Sequence, residues 1–120
     1  MGPMIVEFGL GTSLRRGDYT QAAERAVRAA LWRNSINLAE YMGVAKEDMV
    51  IEVRIGCARP EAVDVDVLAG VFPYGQTSFV VEKGGLDVAR PEGVGNPTVM
   101  AQAALIVSVA TSAARPSGAT

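Results

Sequence analysis

Histidine is absent from the 120 residues, and Cys57 is the only cysteine. A Ser-His-Asp triad, a Cys-His pair, a His-ligated zinc or iron site and an intramolecular disulfide are therefore excluded within this chain. Acid–base chemistry is left to carboxylates, lysine, tyrosine, the thiol or water. We expect the chain to need neither a metal nor a cofactor.

Arg54 and Glu52 are the first candidates for a site, because residues two apart on a strand point to the same face. The forked guanidinium of arginine binds a carboxylate or a planar imide through two parallel hydrogen bonds. The alternative for this pair is a cross-strand salt bridge. Arg59, just beyond the predicted strand, is a second candidate for substrate binding, with an ordinary surface position as its alternative.

Lys83 is predicted to end a strand beside Gly84 and Gly85, where the backbone can approach a ligand closely. With Ser78 or Ser13 it would form a Ser–Lys pair, the nucleophile and base available to a chain without histidine. A surface lysine before a turn is the alternative. We predict catalytic roles for Lys83, Ser78, Glu52 and Glu82, and substrate contacts from Arg54, Arg59, Glu7, Gly84 and Gly85.

Two further groups are better explained by structure than by chemistry. Cys57 falls on the apolar side of its predicted strand, which favours a buried thiol over a nucleophile. Asp64 and Asp66 are spaced for a helix start rather than for a metal pair.

The elements that must position these residues follow from hydrophobic periodicity and turn signals. Strands are predicted over 4–8, 49–57 and 77–82, and the 49–57 alternation is the clearest in the chain. Helices are predicted over 19–42, with Asp18 as N-cap, over part of 63–72, and over 99–113, with Asn96 and Pro97 at its start. This β-α-β-α-β-α order predicts an α+β fold, a small sheet with two long helices packed on one face.

Length and charge favour one domain over residues 1–120, with Met4 as the natural start and 115–120 as a frayed tail. The formal charge is −2 and no basic cluster exceeds Arg15-Arg16, so a nucleic-acid partner is not expected. The longest apolar stretch, 99–109, is too short to span a bilayer. One unpaired cysteine fits a reducing compartment, and we expect a cytoplasmic protein.

Two features predict a homo-oligomer. The helix predicted over 99–113 is apolar nearly all round, which favours either deep burial or a subunit interface. The sheet face away from the helices would carry Glu7, Glu52, Arg54, Gly56, Ser78 and Glu82. That face is either a solvated surface or a set of clefts that a closed ring of subunits would share.

Several segments resemble the Lin family of small conserved hypothetical bacterial proteins: Glu7-Phe8-Gly9-Leu10-Gly11, the helix entry 18–23, Val71-Phe72-Pro73-Tyr74-Gly75, and Gly84-Gly85-Leu86. The resemblance extends over 4–110 and implies a fold rather than a reaction. Arg15-Arg16 departs from it, since a histidine is expected in that loop.

At a greater distance the layout resembles one repeat of the ring-opening amidohydrolases, through residues 46–51, and the trimeric reactive-intermediate deaminases and chorismate mutases. These resemblances imply a homotrimer with small-molecule sites between subunits, in which Arg54 or Arg59 grips the substrate. The leading hypothesis is C–N hydrolysis of a small cyclic amide or an imine. The alternatives are a non-catalytic binding or assembly module, built on the 99–113 helix and Phe72-Pro73-Tyr74, and a chorismate-mutase-like isomerase that needs only a cationic clamp.

Overall fold

The computed structural model describes residues 5–34, 48–72 and 75–109. They form an α+β fold with a mixed five-stranded sheet: β1 (Ile5–Ser13), α1 (Tyr19–Asn34), β2 (Met49–Cys57), α2 (Val65–Ala69), β3 (Gln76–Lys83), β4 (Leu86–Val88) and β5 (Thr98–Val109). A short 3-10 helix, Pro60–Ala62, precedes α2. The continuation of the first helix over 35–42 and the tail over 115–120 lie outside the described residues, as do Pro73 and Tyr74.

The strand order is β1-β5-β2-β3, and β4 pairs with the beginning of β5. β5 runs antiparallel to β1, β2 and β4, whereas β2 and β3 are parallel and are joined through α2. The predicted strand over 49–57 is confirmed, and its odd-numbered residues from Met49 to Cys57 are all buried. β1 is longer than predicted, because the glycine-containing segment after Phe8 continues the strand to Ser13.

The helix predicted over 99–113 is wrong: residues 98–109 form β5, a central strand. Buried residues recur at every second position, namely Val99, Ala101, Ala103, Leu105 and Val107. The segment is apolar nearly all round because strands flank it on both sides and one of its faces is covered, and such a run resembles a buried helix. An all-apolar helix therefore no longer supports an oligomer. The predicted second long helix on the sheet is a strand within it.

One long helix covers one face of the sheet. α1 packs five buried small residues against β1 and β5: Ala22, Ala23, Ala26, Val27 and Ala30. The approach is close because β1 presents glycine there. A Cβ on Gly9 or Gly11 would lie 2.3 Å from a backbone oxygen of α1.

The start of α1 is fixed by the residues predicted to cap it. The Asp18 carboxylate accepts a hydrogen bond from the Gln21 backbone N–H at 3.0 Å, which makes Asp18 the N-cap. Gln21 does not reach back to Asp18 directly. Instead the buried Ser13 hydroxyl donates to Gln21 Oε1 at 2.9 Å and accepts from the Asp18 N–H at 3.3 Å. Ser13 therefore completes the cap, and this structural duty accounts for its burial.

Candidate functional site: the uncovered sheet face

The face of the sheet away from α1 carries six of the large hydrophobic side chains that are exposed in the described residues. They are Val6, Phe8 and Leu10 of β1, Val80 of β3, and Leu86 and Val88 of β4. We call this surface the uncovered face. Three of them, Val6, Phe8 and Leu10, stand side by side along β1, and such an exposed apolar patch marks a binding or association surface.

The register of the sheet assigns each strand's contribution to this face. Phe8, Ala104, Arg54 and Val80 form one row across four strands, with Leu10, Gln102, Gly56 and Glu82 on one side and Val6, Ile106, Glu52 and Ser78 on the other. The β1 half is therefore apolar and the β2–β3 half is mostly polar.

A depression of about 490 Å³ lies on the uncovered face. We call it the cleft. Its apolar wall consists of Val6, Phe8, Ala104 and Ile106, and its polar wall of Arg54, Glu82 and Gln102. Gly56 and Gly84 lie among the residues of the polar wall and leave space there, because neither carries a side chain. An apolar surface with a few convergent polar groups is the usual composition of a small-molecule site.

Arg54 is the cationic group of the cleft. Its Nη2 donates to both carboxylate oxygens of Glu82, at 3.1 and 3.2 Å. About half of each side chain is exposed, so the pair adds little to stability and both groups can still meet a ligand. The cross-strand salt bridge predicted as the alternative to a clamp is present, with Glu82 as the partner, and it lies inside the cleft.

Gln102 closes one end of the polar wall. Its Oε1 accepts a hydrogen bond from the Gly85 N–H at 3.0 Å, and Gly84 N–H donates to the Cys57 carbonyl at 2.9 Å. Gly85 has a positive φ of 66°, and a Cβ there would lie 2.3 Å from the Met100 carbonyl oxygen. Only glycine fits this turn without displacing β5.

The predicted site residues are only partly brought together. Arg54, Glu82 and Gly84 line the cleft, whereas Glu52 and Ser78 do not, although they share a row with Val6 and Ile106 of its apolar wall. Glu7 is on the opposite face, because its register partner is the buried Leu105; the expectation that it shares a face with Arg54 is wrong. β1 has the opposite alternation to the one assumed, since its glycines, and not Val6 and Phe8, face the helix.

Ser78 and Lys83 do not form a Ser–Lys pair within one chain. Ser78 and Lys83 are five residues apart on β3, about 17 Å at 3.3 Å per residue, and an odd separation places them on opposite faces. Lys83 borders the cleft at the end of its strand, although its register partner is the buried Cys57. Ser13 is occupied in the α1 cap.

Arg59 also lies away from the cleft. Its Nε donates to Glu61 at 3.1 Å in an exposed ion pair. The pKa of Glu61 is lowered first by a hydrogen bond from its own backbone N–H and then by Arg59. Arg59 thus has a partner on the solvent side rather than a place beside Arg54.

A second polar cluster sits under the other face, at the start of α1. The Tyr19 hydroxyl donates to Asp87 of β4, and this hydrogen bond, followed by burial, raises the pKa of Tyr19 to about 12. The other carboxylate oxygen of Asp87 is buried without a partner among the described residues. Burial raises the pKa of the neighbouring Cys57 thiol, so this cysteine is a core residue and a poor nucleophile, as its position on the strand predicted.

Two other expectations find structural explanations. Asp64 caps α2 by accepting from the Asp66 N–H at 3.0 Å, and no group of three or more Asp, Glu or Cys side chains spaced for a metal occurs in the described ranges. Phe72 packs edge-on against Phe79, with ring centroids 6.2 Å apart, and is partly buried against the core. It is therefore not the exposed docking residue that an assembly module would need.

The cleft also contains three residues that are not among those predicted from the sequence: Gln102, Phe8 and Ile106. The signal for Gln102 was available, because it is a polar residue inside the long apolar run 99–109. On a helix it reads as an interruption, whereas on a strand it shares a face with Ala104 and Ile106.

No helix in the part of the chain that the structure describes is long and apolar enough to cross a membrane.

The fold and the cleft together define an α+β domain whose sheet is covered by helix on one face and open to a ligand or a partner on the other. The chain belongs to the Lin0512 family of conserved hypothetical proteins, whose family model matches residues 3–107. The more distant amidohydrolase and deaminase resemblances are not confirmed, and the element order that suggested them includes a helix over 99–113 where the structure has the strand β5.

A search of the curated proteins found no match. Among solved structures, the chain is similar to a crystal structure of an FtsZ-like protein of unknown function from Nostoc punctiforme. The two are 32% identical, with a TM-score of 0.78, and the match covers 89% of this chain and 94% of the other.

Proposed function

We propose that this protein is a homo-oligomeric small-molecule-binding protein whose ligand occupies the cleft on the uncovered face. The observation that carries the proposal is the placement of Arg54 and Glu82 opposite an apolar wall that contains Phe8 and Ile106. Arg54 binds a carboxylate through its planar fork. The apolar wall takes the body of the ligand, and Glu82 accepts an N–H.

The reaction we assign to the cleft is hydrolysis of a C–N bond in a small cyclic amide or an imine. Because Ser78 and Lys83 are far apart, the nucleophile is water. Glu82 takes a proton from the water as its oxygen bonds to the amide or imine carbon. For the amide, the same proton then passes to the departing nitrogen as the C–N bond breaks, so the carboxylate is regenerated. For the imine, that first proton gives the amine nitrogen of a carbinolamine. Glu82 then takes the proton of the new hydroxyl group and passes it to the nitrogen as the C–N bond breaks, which leaves a carbonyl product, a free amine and the carboxylate.

The occupant of the rest of the uncovered face is a second copy of this chain. The face spans four strands about 4.8 Å apart and about eight residues of 3.3 Å each, roughly 500 Å² in projection. This projection is smaller than the ~800 Å² per partner of a standard interface, and the relief of its side chains adds accessible area to it. Its charges are self-complementary, since Glu52 and Glu82 flank Arg54.

The oligomer that we propose is a homotrimer, in which contacts through the uncovered face would place the clefts between subunits. We propose a cytoplasmic location on the evidence of one buried, unpaired thiol at Cys57.

The first experiment measures binding of pyroglutamate, a five-membered cyclic amide with a carboxylate, by NMR titration. We expect Arg54→Ala to weaken binding at least tenfold and Arg54→Lys to restore only part of it, because lysine lacks the fork. Arg28→Ala is the matched control, since Arg28 forms an exposed ion pair with Glu24 on α1. Equal binding by Arg54→Ala and the unaltered protein would overturn the proposal.

The reaction is tested on a panel of cyclic amides that carry a carboxylate, with pyroglutamate and dihydroorotate included. Ring-opened product is quantified by NMR, and Glu82→Gln is expected to abolish it while keeping the volume of the side chain. Turnover that survives this change would remove Glu82 from the mechanism. Arg54-dependent binding with no product from any member would leave a binding protein and remove the hydrolase.

The second candidate function is an assembly module without chemistry. It is favoured by Leu86 and Val88, which extend the exposed apolar surface beyond the cleft. Light scattering separates the candidates when combined with the titration. Oligomers that show no Arg54-dependent ligand response would support the module, whereas a monomer would remove both the module and the shared cleft.

A further inference from the structure

We propose that Gln102 determines ligand specificity by donating its side-chain amide to a carbonyl oxygen that neighbours the carboxylate held by Arg54. The inference rests on the proposed binding function and names its ligand class as cyclic amides with a carboxylate. It concerns a residue to which the proposed reaction gives no role.

The orientation of the Gln102 amide is fixed by its surroundings. The Gly85 backbone N–H can only donate, so the atom that faces it at 3.0 Å is the amide oxygen. The Nε2 group consequently occupies the other end of the amide. It has no hydrogen-bond partner among the described residues.

The same contacts hold the amide in place. A Cβ on Gly56 would lie 3.1 Å from Gln102 Oε1, and one on Gly84 would lie 3.2 Å from it. The amide therefore lies against two residues that have no side chain, with one end hydrogen-bonded. A donor that is already oriented loses little conformational entropy when a ligand binds.

Gln102 and Arg54 are close on the sheet. Gln102 pairs with Gly56, two residues along β2 from Arg54, and Gly56 also pairs with Glu82 on β3. The polar wall thus offers two donor groups, Arg54 and Gln102, and one acceptor, Glu82. A lactam with a carboxylate matches this set, because it supplies a carboxylate, a carbonyl oxygen and an N–H.

A site built to hydrogen-bond a polar group rejects an analogue that lacks the group, since its own donor is then left unpaired. The discriminating pair of probes is pyroglutamate and cyclopentanecarboxylate, which share ring size and charge. We expect the protein to bind pyroglutamate roughly tenfold more tightly. Gln102→Met is expected to lower the affinity for pyroglutamate to that for cyclopentanecarboxylate, so that the preference disappears.

Gln102→Glu is the second variant, because it keeps the volume and the acceptor for Gly85 but replaces the Nε2 donor. It should lose the preference as well. Gln76→Met is the matched control, since Gln76 is exposed on the same face at the start of β3, outside the cleft. It should behave as the unaltered protein.

The outcomes separate the two proposals. Equal affinity for the two probes in the unaltered protein, or an undiminished preference in Gln102→Met, would overturn the role of Gln102 and leave the binding function standing. Failure of both probes to bind in an Arg54-dependent way would overturn the binding function itself, and the role of Gln102 with it.

Discussion

The two faces of the one sheet are built on different rules. On the face under α1, glycine in β1 meets alanine in the helix, and backbone atoms come within van der Waals contact. On the uncovered face, large apolar residues of β1 stand exposed beside Arg54 and Glu82. The residues of each face therefore suit what covers that face. Small residues lie where α1 must approach, and larger or charged residues lie where a ligand or a partner can bind.

The largest expected effect comes from adding a methyl group to the face under α1. The same addition to the uncovered face serves as the comparison. In Gly11→Ala the new Cβ would lie 2.3 Å from Ala22 O, so α1 must move off the sheet, and we expect a loss of about 3 kcal/mol in the free energy of unfolding. In Gly56→Ala the nearest atom is the end of the Gln102 side chain at 3.1 Å, and we expect less than about 1 kcal/mol.

Urea denaturation followed by circular dichroism measures both values. Gly70→Ala serves as a control for the substitution itself, because a Cβ there has 3.4 Å to its nearest neighbour at the end of α2. Losses of the same size at Gly11 and Gly56 would show that the two faces are equally tightly covered, and the contrast would fail.

A smaller effect is expected from the hydrogen bond that ties α1 to β4. Tyr19→Phe removes the donor to Asp87 and should cost about 1 kcal/mol at neutral pH. Because folding raises the pKa of Tyr19 to about 12, the folded state holds its proton more tightly than the unfolded state, whose pKa is near 10. The stabilisation is therefore complete below pH 10 and is lost as the pH rises from 10 to 12.

The measurement is the urea midpoint at neutral pH and between pH 10 and 12. The unaltered protein should lose more stability over that range than Tyr19→Phe does. An equal loss of stability in both proteins would mean that the Tyr19–Asp87 hydrogen bond contributes nothing to the decrease in stability between pH 10 and 12.

The smallest effect on stability is expected on the uncovered face. Phe8→Ser removes a ring that is 64% exposed, so the free energy of unfolding of the subunit should change by less than about 0.5 kcal/mol. The mass in light scattering should nevertheless fall toward that of a monomer. An unchanged mass would place the subunit contact elsewhere and leave Phe8 as a wall of the cleft alone.

The sequence predicted those parts of the fold for which a single element carries the signal. β2 alternates without a break from Met49 to Cys57, and Asp18 caps α1 where a capping residue was expected. The helix predicted for the segment after Asn96 is wrong, because alanine, valine and leucine in a continuous apolar run are compatible with both a helix and a central strand. Only pairing with β1 and β2 distinguishes the two.

The candidate site shows the same division. Arg54 and Glu82 were selected from strand alternation, and register brings them to 3.1 Å. Glu7 was assigned to the wrong face because the alternation of β1 gives two faces without saying which one the helix covers. Ser78 and Lys83 were paired by chemistry alone, and the length and pleat of β3 separate them.

By itself the sequence determined which chemistry is open to this protein, since a chain without histidine and with one buried cysteine must work through Arg, Lys, carboxylates and water. It also determined the local elements whose periodicity is unambiguous. The tertiary structure alone decided which face of the sheet α1 covers and which residues share the other face. The physical reason is that side-chain direction along a strand is set locally, whereas register and coverage depend on contacts between residues as distant as Phe8 and Ala104.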